Sequence, residues 1–522
     1  MAIDGSRVWR RVPTDAAAAW FADLKGWRRY AVATGLGAVA TLALPPLYLL
    51  PALYVSFTGL VWALPVGLRW RSAFFTGWWF GMGYFVSGLY WIGFAPITYS
   101  LDLIWVLPFA TVGLPILMAV FHGLAALLAS VRDADNLRRA LMLALAWGAT
   151  EWLRGKAFTG FPWNLAGYSW LASDALAQSA SVVGMYGVTL LAVAAAALLA
   201  GTAGGSARRR WISLALAIVI PAVAWGGGML RLAGAPPPDD FVPGVGLRLV
   251  QANIPQREKW DRRLIRRNFD LHMSLSIADR PGWVTHIIWP ETAATIDLTS
   301  GAAVRKTVSR IVPKGGHLLT GTPRRAQAPR RIWNAMVAVD DSGEVVAVFD
   351  KFHLVPFGEY VPLRSVLPFD KVTPGSLDFS AGPGPRTLDI EGLPPVSPLI
   401  CYEAIFPGET VDPANRPAWL LNLTNDAWYG DTAGPHQHLA ITRARAIEEG
   451  VPLVRSANTG ISAVFDSFGR EIVRIGLSEQ GVADTGLPRP AKNLTVYAEF
   501  GDYGHLFLMT IVFLFLFRAT NN

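Results

Sequence analysis

Three segments in the second half of the chain place a reactive side chain directly after a run of mostly apolar residues. Glu291 follows HIIWP, Lys351 follows VVAVFD, and Cys401, the single cysteine of the chain, follows PPVSPLI. Rigid scaffolds usually present functional groups where a strand meets a loop, so these positions are candidates for an active site. Taken one at a time, each also fits a structural interpretation: a turn carboxylate, a surface lysine and a small buried thiol.

The three residue types together can transfer an acyl group. A free thiol is mostly protonated at neutral pH, and only the thiolate is the nucleophile. A carboxylate beside the thiol can take its proton as general base. An ammonium group beside both can stabilise the thiolate and then the oxyanion of a tetrahedral intermediate. If Glu291, Lys351 and Cys401 meet in one pocket, they form a thiol acyl-transfer centre that uses no histidine.

The histidines of this half favour no metal centre. His436 and His438 are two residues apart, so on a helix they point to different sides, and the sequence has no HExxH pattern and no cysteine cluster. His353, two residues after Lys351, is interpreted as a loop residue that forms hydrogen bonds. We therefore expect neither a metal ion nor a cofactor.

The residues around these positions alternate between β-rich runs and helical patterns. Runs bounded by Gly, Pro and Asp predict strands, and one of them turns back at residues 341–343. Interleaved strands and helices predict one α/β domain. The predicted strands are at 246–254, 286–293, 317–323, 335–350 (a hairpin), 396–406, 419–428 and 460–475, and the predicted helices are at 257–279 and 435–450.

The first half of the chain is apolar over long stretches. No Asp, Glu, Lys or Arg occurs at residues 30–68, 72–101 or 175–207. One charge at the centre of a membrane helix costs about 2.5–3.5 kcal/mol, so stretches without charge predict bilayer spans. We predict eight spans, seven before the α/β domain and one after it: 30–44, 47–68, 72–94, 103–131, 138–153, 180–202, 211–231 and 503–518.

Lysine and arginine are distributed unequally between alternate loops. With a cytoplasmic N-terminus, fifteen lie on the cytoplasmic side and three on the other. Because cytoplasmic loops carry the excess, this bias predicts a cytoplasmic arm at 1–29, a membrane domain at 30–232, an extracytoplasmic catalytic domain at 233–502, and a last span with the C-terminus at 503–522. The net charge of +8 lies mostly beside the spans, so no nucleic-acid partner is expected.

The extended segments around the three reactive residues resemble a known family. WPET, DKFHLVPFGEYVP and ICYE resemble the Glu–Lys–Cys segments of the nitrilase superfamily. Their longer forms, together with residues 425–460 and the membrane segment at 151–170, are similar to the apolipoprotein N-acyltransferase family. The resemblance covers residues 30–518 and leaves out most of the N-terminal arm.

The resemblance implies a four-layer αββα sandwich on a membrane bundle, in a bacterial inner membrane with the catalytic domain in the periplasm. Cys401 would take a fatty acyl chain from a phospholipid, with phosphatidylethanolamine as the expected donor, and hold it as a thioester. The α-amine of the diacylglyceryl-cysteine of an apolipoprotein would then attack the thioester. Glu291 would be the base and Lys351 its electrostatic partner, in a monomer surrounded by membrane lipids.

By the same resemblance, four further residues support the site. The backbone N–H of Tyr402 would donate to the oxyanion, and Trp260 would handle substrate. Two of the four allow a structural interpretation: Trp260 can cover a helix end, and Glu403 can pair with Arg443 or Arg445. The four supporting residues are Trp260, Glu359, Tyr402 and Glu403.

Other functions remain open at this point. A membrane-tethered nitrilase-like amidase would have the same three residues and would differ in its acceptor, which is water instead of a lipidated amine. A transporter with a nitrilase-like binding module is disfavoured, because an ion path needs ionisable residues inside the membrane and the predicted spans offer few, chiefly His122 and the span-end Glu151. The aromatic-rich segments at 75–94 and 161–170 fit an interfacial belt and a cleft for an acyl chain.

Overall fold

The computed structural model describes residues 13–518, apart from 66, 68, 100, 131–134, 363 and 365–376. The predicted cytoplasmic arm lies outside the described residues up to residue 12. Single positions of the predicted spans 47–68 and 103–131 also lie outside them, as do the C-terminal residues 519–522.

The first half of the chain forms helices that pack side by side around an apolar core. The long charge-free runs are rich in Leu, Ala and Phe, and the Pro45-Pro46 pair separates α2 from α3 because proline cannot continue a helix. The helices α1–α10 are Pro13–Asp23, Gly26–Ala40, Leu50–Ala63, Trp70–Gly88, Phe94–Tyr99, Leu107–Ala129, Asn136–Lys156, Asp174–Ala177, Ala180–Leu198 and Ala207–Ala233.

Three helical segments of the described chain are long and apolar enough to cross a membrane: Ile104–Ala129, Ala180–Thr202 and Ala207–Ala233. A fourth is added if the bent pair Trp70–Gly88 and Tyr90–Thr98 forms one span. Each of the eight predicted spans contains one helix of the structure, but several of these helices are too short or too polar to meet this test. The total of eight spans therefore stays a prediction.

The second half of the chain forms two sheets and the helices that cover them. The predicted hairpin is confirmed, and a strand lies in each other predicted strand region, but the strands predicted at 286–293, 396–406 and 419–428 end at Ile288, Ile400 and Thr424. The predicted helix at 257–279 is divided into α11 and α12 by a turn. The strands β1–β11 are Phe241–Gln251, His286–Ile288, His317–Gln327, Arg330–Asp340, Val345–Asp350, Val396–Ile400, Trp419–Thr424, Leu453–Ala457, Ser462–Phe465, Glu471–Ile475 and Gly481–Pro488. The helices α11–α16 are Gln256–Lys259, Ile265–Ile277, Ala302–Val308, Ala433–Glu449, Val496–Phe500 and Tyr503–Arg518.

The two sheets stack face to face with helices on both outer sides. One sheet has the strand order β11-β1-β2-β3-β4-β5, and the other has the order β10-β9-β8-β7-β6. Apolar residues of both sheets share one core between them. A second core lies between the six-stranded sheet and α12 and α13, and a third lies between the five-stranded sheet and α14. The layers therefore follow the order αββα.

Helix α14 belongs to two cores at once. One side of it packs on the five-stranded sheet, and the other side packs into the helical bundle through Ala440, Ile441, Ala444 and Ile447. Fourteen of its 17 residues are buried. The helical bundle thus covers the outer layer of the five-stranded sheet, as a partner domain would.

Candidate active site

The three predicted residues come from both sheets. Glu291 lies just after β2 and Lys351 directly after β5, so both come from the six-stranded sheet. Cys401 directly follows β6 of the five-stranded sheet. Gly321 of β3 lets the Glu291 segment lie against the sheet, because a Cβ at this position would come within 2.2 Å of the backbone nitrogen of Thr292.

A buried network of charged and amide groups surrounds Lys351. Its Nζ lies 2.9 Å from Glu359 Oε2 and 3.9 Å from Glu291 Oε1. Asn334 of β4 donates through Nδ2 to both carboxylates, at 2.7 Å to Glu291 Oε1 and 3.0 Å to Glu359 Oε1. Two carboxylates, one ammonium and one amide therefore hold each other in a fixed arrangement.

The charges of this network act on the thiol of Cys401. The pKa of the thiol is raised to about 12: burial is the largest cause, the charge of Glu291 acts in the same direction, and the charge of Lys351 acts in the opposite direction. Thr424 at the end of β7 forms a side-chain hydrogen bond with the thiol. The structure thus places the buried thiol of Cys401 close enough to Glu291 and Lys351 for their charges to shift its pKa.

The pKa shifts of the charged pair suit a proton transfer. Burial raises the pKa of Glu291, with Lys351 acting in the opposite direction, and so moves it towards the range in which a carboxylate can act as a base near neutral pH. Burial lowers the pKa of Lys351, but Glu359 and Glu291 outweigh it and keep the pKa above its ordinary value. Lys351 therefore stays charged, while the resting thiol keeps its proton until a base removes it.

The two residues after the nucleophile hold its turn in place. The carboxylate of Glu403 accepts from the backbone N–H groups of Ile400 (2.6 Å), Phe352 (2.6 Å) and His353 (3.2 Å). Burial raises the pKa of Glu403, and these N–H groups and Lys351 lower it. The hydroxyl of Tyr402 donates to the carbonyl of Gly160 at 3.2 Å, which ties the turn to the bundle.

The alternative that Glu403 pairs with an arginine of α14 is wrong. Arg443 instead pairs with Asp174, and Arg445 lies 2.8 Å from Glu448 on its own helix. The three backbone donors supply the compensation that a buried carboxylate needs.

Trp260 lies at the C-terminal end of α11, where it is partly buried. The residue before it, Lys259, is buried and donates to the backbone carbonyl of Glu291 at 2.8 Å. Burial lowers the pKa of Lys259 to about 8, and the charges of Glu291 and Cys401 act in the opposite direction. Trp260 is therefore held one residue from a group that touches the base.

Two histidines near the site, His353 and His438, have identifiable neighbours. The interpretation of His353 as a loop residue is confirmed, since its Nε2 lies 2.8 Å from the carbonyl of Thr159 and its ring stacks on Phe406. A ring nitrogen of His438 lies within 4.8 Å of the Cys401 sulfur and of a carboxylate oxygen of Asp426, the spacing of a metal site.

Arg455 adds a positive charge to the cluster formed by Cys401, Asp426 and His438. Its Nη2 lies 2.5 Å from Asp426 Oδ2 and 3.3 Å from His438 Nδ1, and all three residues are buried. A guanidinium cation beside both potential ligands would repel a second cation. The chemistry of this set favours an ion-pair network over a metal site.

Two tryptophans of the aromatic-rich segments lie inside the molecule. Trp91 and Trp163 are 3% and 1% exposed, and the indole N–H groups of both donate to Gln437 Oε1 of α14, at 3.0 and 2.8 Å. Burial and these hydrogen bonds place both between the bundle and the catalytic domain, so neither belongs to an interfacial belt. Trp79 and Tyr90 of the segment at 75–94 are exposed, and for them the belt stays a prediction. The role of Trp91 and Trp163 in a cleft for an acyl chain stays a prediction.

Comparisons with known proteins agree with this two-part architecture. Residues 36–198 match the family model of the apolipoprotein N-acyltransferase N-terminal domain, and residues 275–491 match that of the carbon-nitrogen hydrolases. The apolipoprotein N-acyltransferase of Rhodopseudomonas palustris is 40% identical over 532 aligned positions, which cover 97% of each chain. That of Bradyrhizobium diazoefficiens is 41% identical and covers 94% of this chain and 95% of its own.

The chain belongs to the apolipoprotein N-acyltransferase family. The resemblance of the WPET, DKFHLVPFGEYVP and ICYE segments is thereby confirmed. The nitrilase-like α/β domain is confirmed as well, by the carbon-nitrogen hydrolase match and by the two stacked sheets.

Solved structures align with about half of the chain. An amidase from Nesterenkonia sp. is 21% identical with a TM-score of 0.35, and the alignment covers 48% of this chain and 92% of the amidase. A carbon-nitrogen hydrolase superfamily protein from Xanthomonas campestris is 19% identical with a TM-score of 0.35, over 47% of this chain and 90% of that protein.

Several residues of the site were missed in the sequence. Asn334 lies directly before the strand predicted at 335–350, where an amide between Trp333 and Ala335 was the available signal. For Lys259 and Asp426 the signals were the sequences KW and NDAW, in which a charged residue lies close to a tryptophan at a strand or helix end. The missed residues that contact the site are Lys259, Asn334, Thr424, Asp426, His438 and Arg455.

Proposed function

We propose that this member of the apolipoprotein N-acyltransferase family transfers a fatty acyl chain from a phospholipid, through a thioester on Cys401, to the α-amine of the diacylglyceryl-cysteine of an apolipoprotein. The observation that supports the proposal is the close approach of Glu291 and Lys351, 3.9 Å apart, beside the buried thiol of Cys401, whose pKa their charges shift. The helical bundle supports it as well, since residues 36–198 match the apolipoprotein N-acyltransferase N-terminal domain.

In the first step, Glu291 takes the proton of the thiol and the sulfur attacks the ester carbonyl of the phospholipid. Lys351 and the backbone N–H of Tyr402 stabilise the oxyanion that forms. The C–O bond then breaks, the lysophospholipid leaves as an alcohol with the proton from Glu291, and the acyl chain stays on Cys401.

In the second step, the free α-amine of the lipidated cysteine attacks the thioester. Glu291 accepts the proton that the amine loses, the C–S bond breaks, and the sulfur of Cys401 regains a proton. Glu359 and Glu403 support the site through Lys351 and the nucleophile turn, and Trp260 handles substrate at its rim. Both lipid substrates stay in the bilayer, because each CH₂ removed from water contributes about 0.8 kcal/mol.

The arrangement of basic residues supports an extracytoplasmic active site. Arg209 and Arg210 pair with Asp135 and Asp15 at the end of the bundle formed by the α6–α7 and α9–α10 connections. Lys156, one of the three basic residues predicted on the opposite side, pairs with Glu409 of the catalytic domain at 2.8 Å. We infer a monomer in a bacterial inner membrane, with eight spans, a periplasmic catalytic domain and phosphatidylethanolamine as the acyl donor. The membrane domain would comprise residues 30–232, the catalytic domain residues 233–502, and the last span with the C-terminus residues 503–522.

The intact mass of the purified protein after incubation with phosphatidylethanolamine tests the proposal. We expect an increase by one fatty acyl group that hydroxylamine removes and that Cys401→Ala abolishes, with at most a trace in Cys401→Ser. An acyl adduct that persists in Cys401→Ala would refute the assignment.

The second candidate function is a membrane-tethered nitrilase-like amidase, which the carbon-nitrogen hydrolase match favours by fold alone. Labelled phospholipid and a diacylglyceryl peptide, supplied together, separate the two functions. N-acylated peptide supports the transferase, whereas free fatty acid without acylated peptide supports the hydrolase.

A further inference from the structure

The backbone of Cys401 has an unusual conformation that the surrounding residues must maintain. Its φ is +53°, in the left-handed region that residues with a Cβ rarely adopt. Such a conformation persists only where neighbouring groups determine it. On the N-terminal side, Glu403 Oε2 accepts from the N–H of Ile400 at 2.6 Å.

On the C-terminal side, the carbonyl of Cys401 faces a side chain from another element. His438 Nε2 of α14 lies 3.2 Å from this carbonyl oxygen. The ring is buried and packs against Trp163, with a centroid distance of 5.4 Å. The conformation of the nucleophile is therefore fixed from both ends, by Glu403 before it and by His438 after it.

The protonation of His438 follows from its partners. A carbonyl oxygen can only accept, so Nε2 must carry a proton for this hydrogen bond. The other nitrogen, Nδ1, lies 2.8 Å from Asp426 Oδ1 and 3.3 Å from Arg455 Nη2. The carboxylate oxygen of Asp426 also requires a donor, so the charged ring, with a proton on each nitrogen, satisfies both contacts.

We propose that His438 is a positioning residue for acyl transfer: its Nε2–H holds the carbonyl of Cys401 and so fixes the direction in which the sulfur attacks. The proposal rests on the proposed role of Cys401 as the nucleophile. Asp426 and Arg455 orient the ring, and the sulfur of Cys401 lies within 4.8 Å of both the ring and Asp426.

Gln437, the residue before His438, connects α14 to the helical bundle. Gln437 Oε1 accepts from Trp91 and Trp163 of the bundle, and Gln437 Nε2 donates to the carbonyl of Gly88 at 3.2 Å. The bundle thereby fixes the position of this part of α14, and the hydrogen bond from His438 fixes the backbone of Cys401 relative to it. Attack geometry at the sulfur thus depends on the contact between the bundle and α14.

Three variants test the proposal by the rate of thioester formation with phosphatidylethanolamine. His438→Phe keeps a ring but removes the donor, and we expect about a hundredfold lower rate at unchanged KM, the cost of misplacing a reacting atom by about 1 Å. His438→Gln restores a neutral N–H donor of similar reach, and we expect it to recover the rate to within about tenfold. His436→Phe, the same substitution two residues away on α14, serves as the matched control and keeps the normal rate.

Alkylation of Cys401 by iodoacetamide separates positioning from unfolding. A loss of positioning lowers or preserves the alkylation rate of the buried thiol, whereas local unfolding raises it. If His438→Phe alkylates faster, His438→Asn, whose shorter amide does not reach the carbonyl, replaces it in the comparison with His438→Gln.

Equal thioester rates in the variants with and without a donor would overturn the proposal, and so would a change in KM alone. This failure is distinguishable from failure of the proposed function. In the former case the wild type still forms a thioester on Cys401, and in the latter it forms none.

Discussion

The two sheets of the catalytic domain contribute different things to one site. The six-stranded sheet supplies a carboxylate, an ammonium and an amide, from Glu291, Lys351 and Asn334, and its helices α12 and α13 cover the outer face. The five-stranded sheet supplies Cys401, and its outer helix α14 lies between the sheet and the bundle. The groups that would move protons are thus held within the α/β fold, whereas the turn that follows the sulfur packs into the core of the helical bundle through Tyr402, Ile405 and Phe406. Changes on the two sides should have different consequences.

The largest effect is expected on the charged side. Lys351→Met leaves the buried carboxylates of Glu291 and Glu359 without their shared cation and removes the stabilising charge from the oxyanion. We expect the rate of thioester formation to fall by about 10² to 10³. Lys492→Met, at an exposed lysine of the same domain, is the control, and a comparable loss in both variants would contradict the role of Lys351.

The bridge between the two carboxylates should have the next largest effect. Asn334→Asp places a third negative charge where an amide donates to Glu291 and Glu359, so the carboxyl groups should hold their protons more tightly. We expect a loss of about tenfold to a hundredfold in thioester formation, together with a shift of the rising limb of its pH profile to higher pH. Asn334→Leu removes the donor without adding charge. It should shift the rising limb in the same direction but by less, because the hydrogen bond of Asn334 lowers the pKa of Glu291, and identical profiles for the two variants would argue against the electrostatic explanation.

The thiol itself gives a test that depends on pH. Burial raises the pKa of Cys401 to about 12, so at lower pH the thiolate fraction rises tenfold for each unit of pH. We expect the rate of alkylation by iodoacetamide to keep rising above pH 9, beyond the range in which an ordinary cysteine reaches its plateau. A plateau near pH 8.5 would show that the thiol is not buried as described.

The smallest effect is expected where the five-stranded sheet meets the bundle. Trp163→Phe removes one of the two indole donors to Gln437 and keeps an aromatic ring. One hydrogen bond contributes about 0.5–1.5 kcal/mol, so thermal unfolding in detergent should occur a few degrees lower and thioester formation should slow by about threefold. Trp283→Phe, at an exposed tryptophan, is the control. A loss as large as that of Lys351→Met would remove the distinction between the two sides.

The sequence predicted the site better than it predicted its supports. Each of the three predicted residues, Glu291, Lys351 and Cys401, follows an apolar strand. This is a local pattern that can be recognised without knowledge of the fold. The strands β8 and β11 were missed because their short runs lack clear alternation. The contacts of His438 and Asn334 depend on which elements meet in space. His438 and Cys401 are 37 positions apart in the sequence, Asn334 and Glu291 are 43 positions apart, and the members of each pair lie on different elements.

The membrane part shows the opposite balance. Charge-free stretches located its helices well, because a single charge is costly in a bilayer. The burial of Trp91 and Trp163 could not be predicted in this way, since an aromatic residue at the end of a span reads the same whether lipid or a protein domain covers it. The partners of Glu403 could not be predicted either. An arginine was one expected partner, but three backbone N–H groups bind its carboxylate, and a sequence does not show which backbone groups lie near a side chain.

Helix α14 has a consequence for the biogenesis of the protein. Its buried faces belong to two cores, so the five-stranded sheet gains its complete outer layer only after the helices encoded before it have entered the bilayer and assembled. A chain whose bundle has not yet formed would carry Cys401 in an unfinished fold. The reactivity of the sulfur therefore depends on assembly of the bundle.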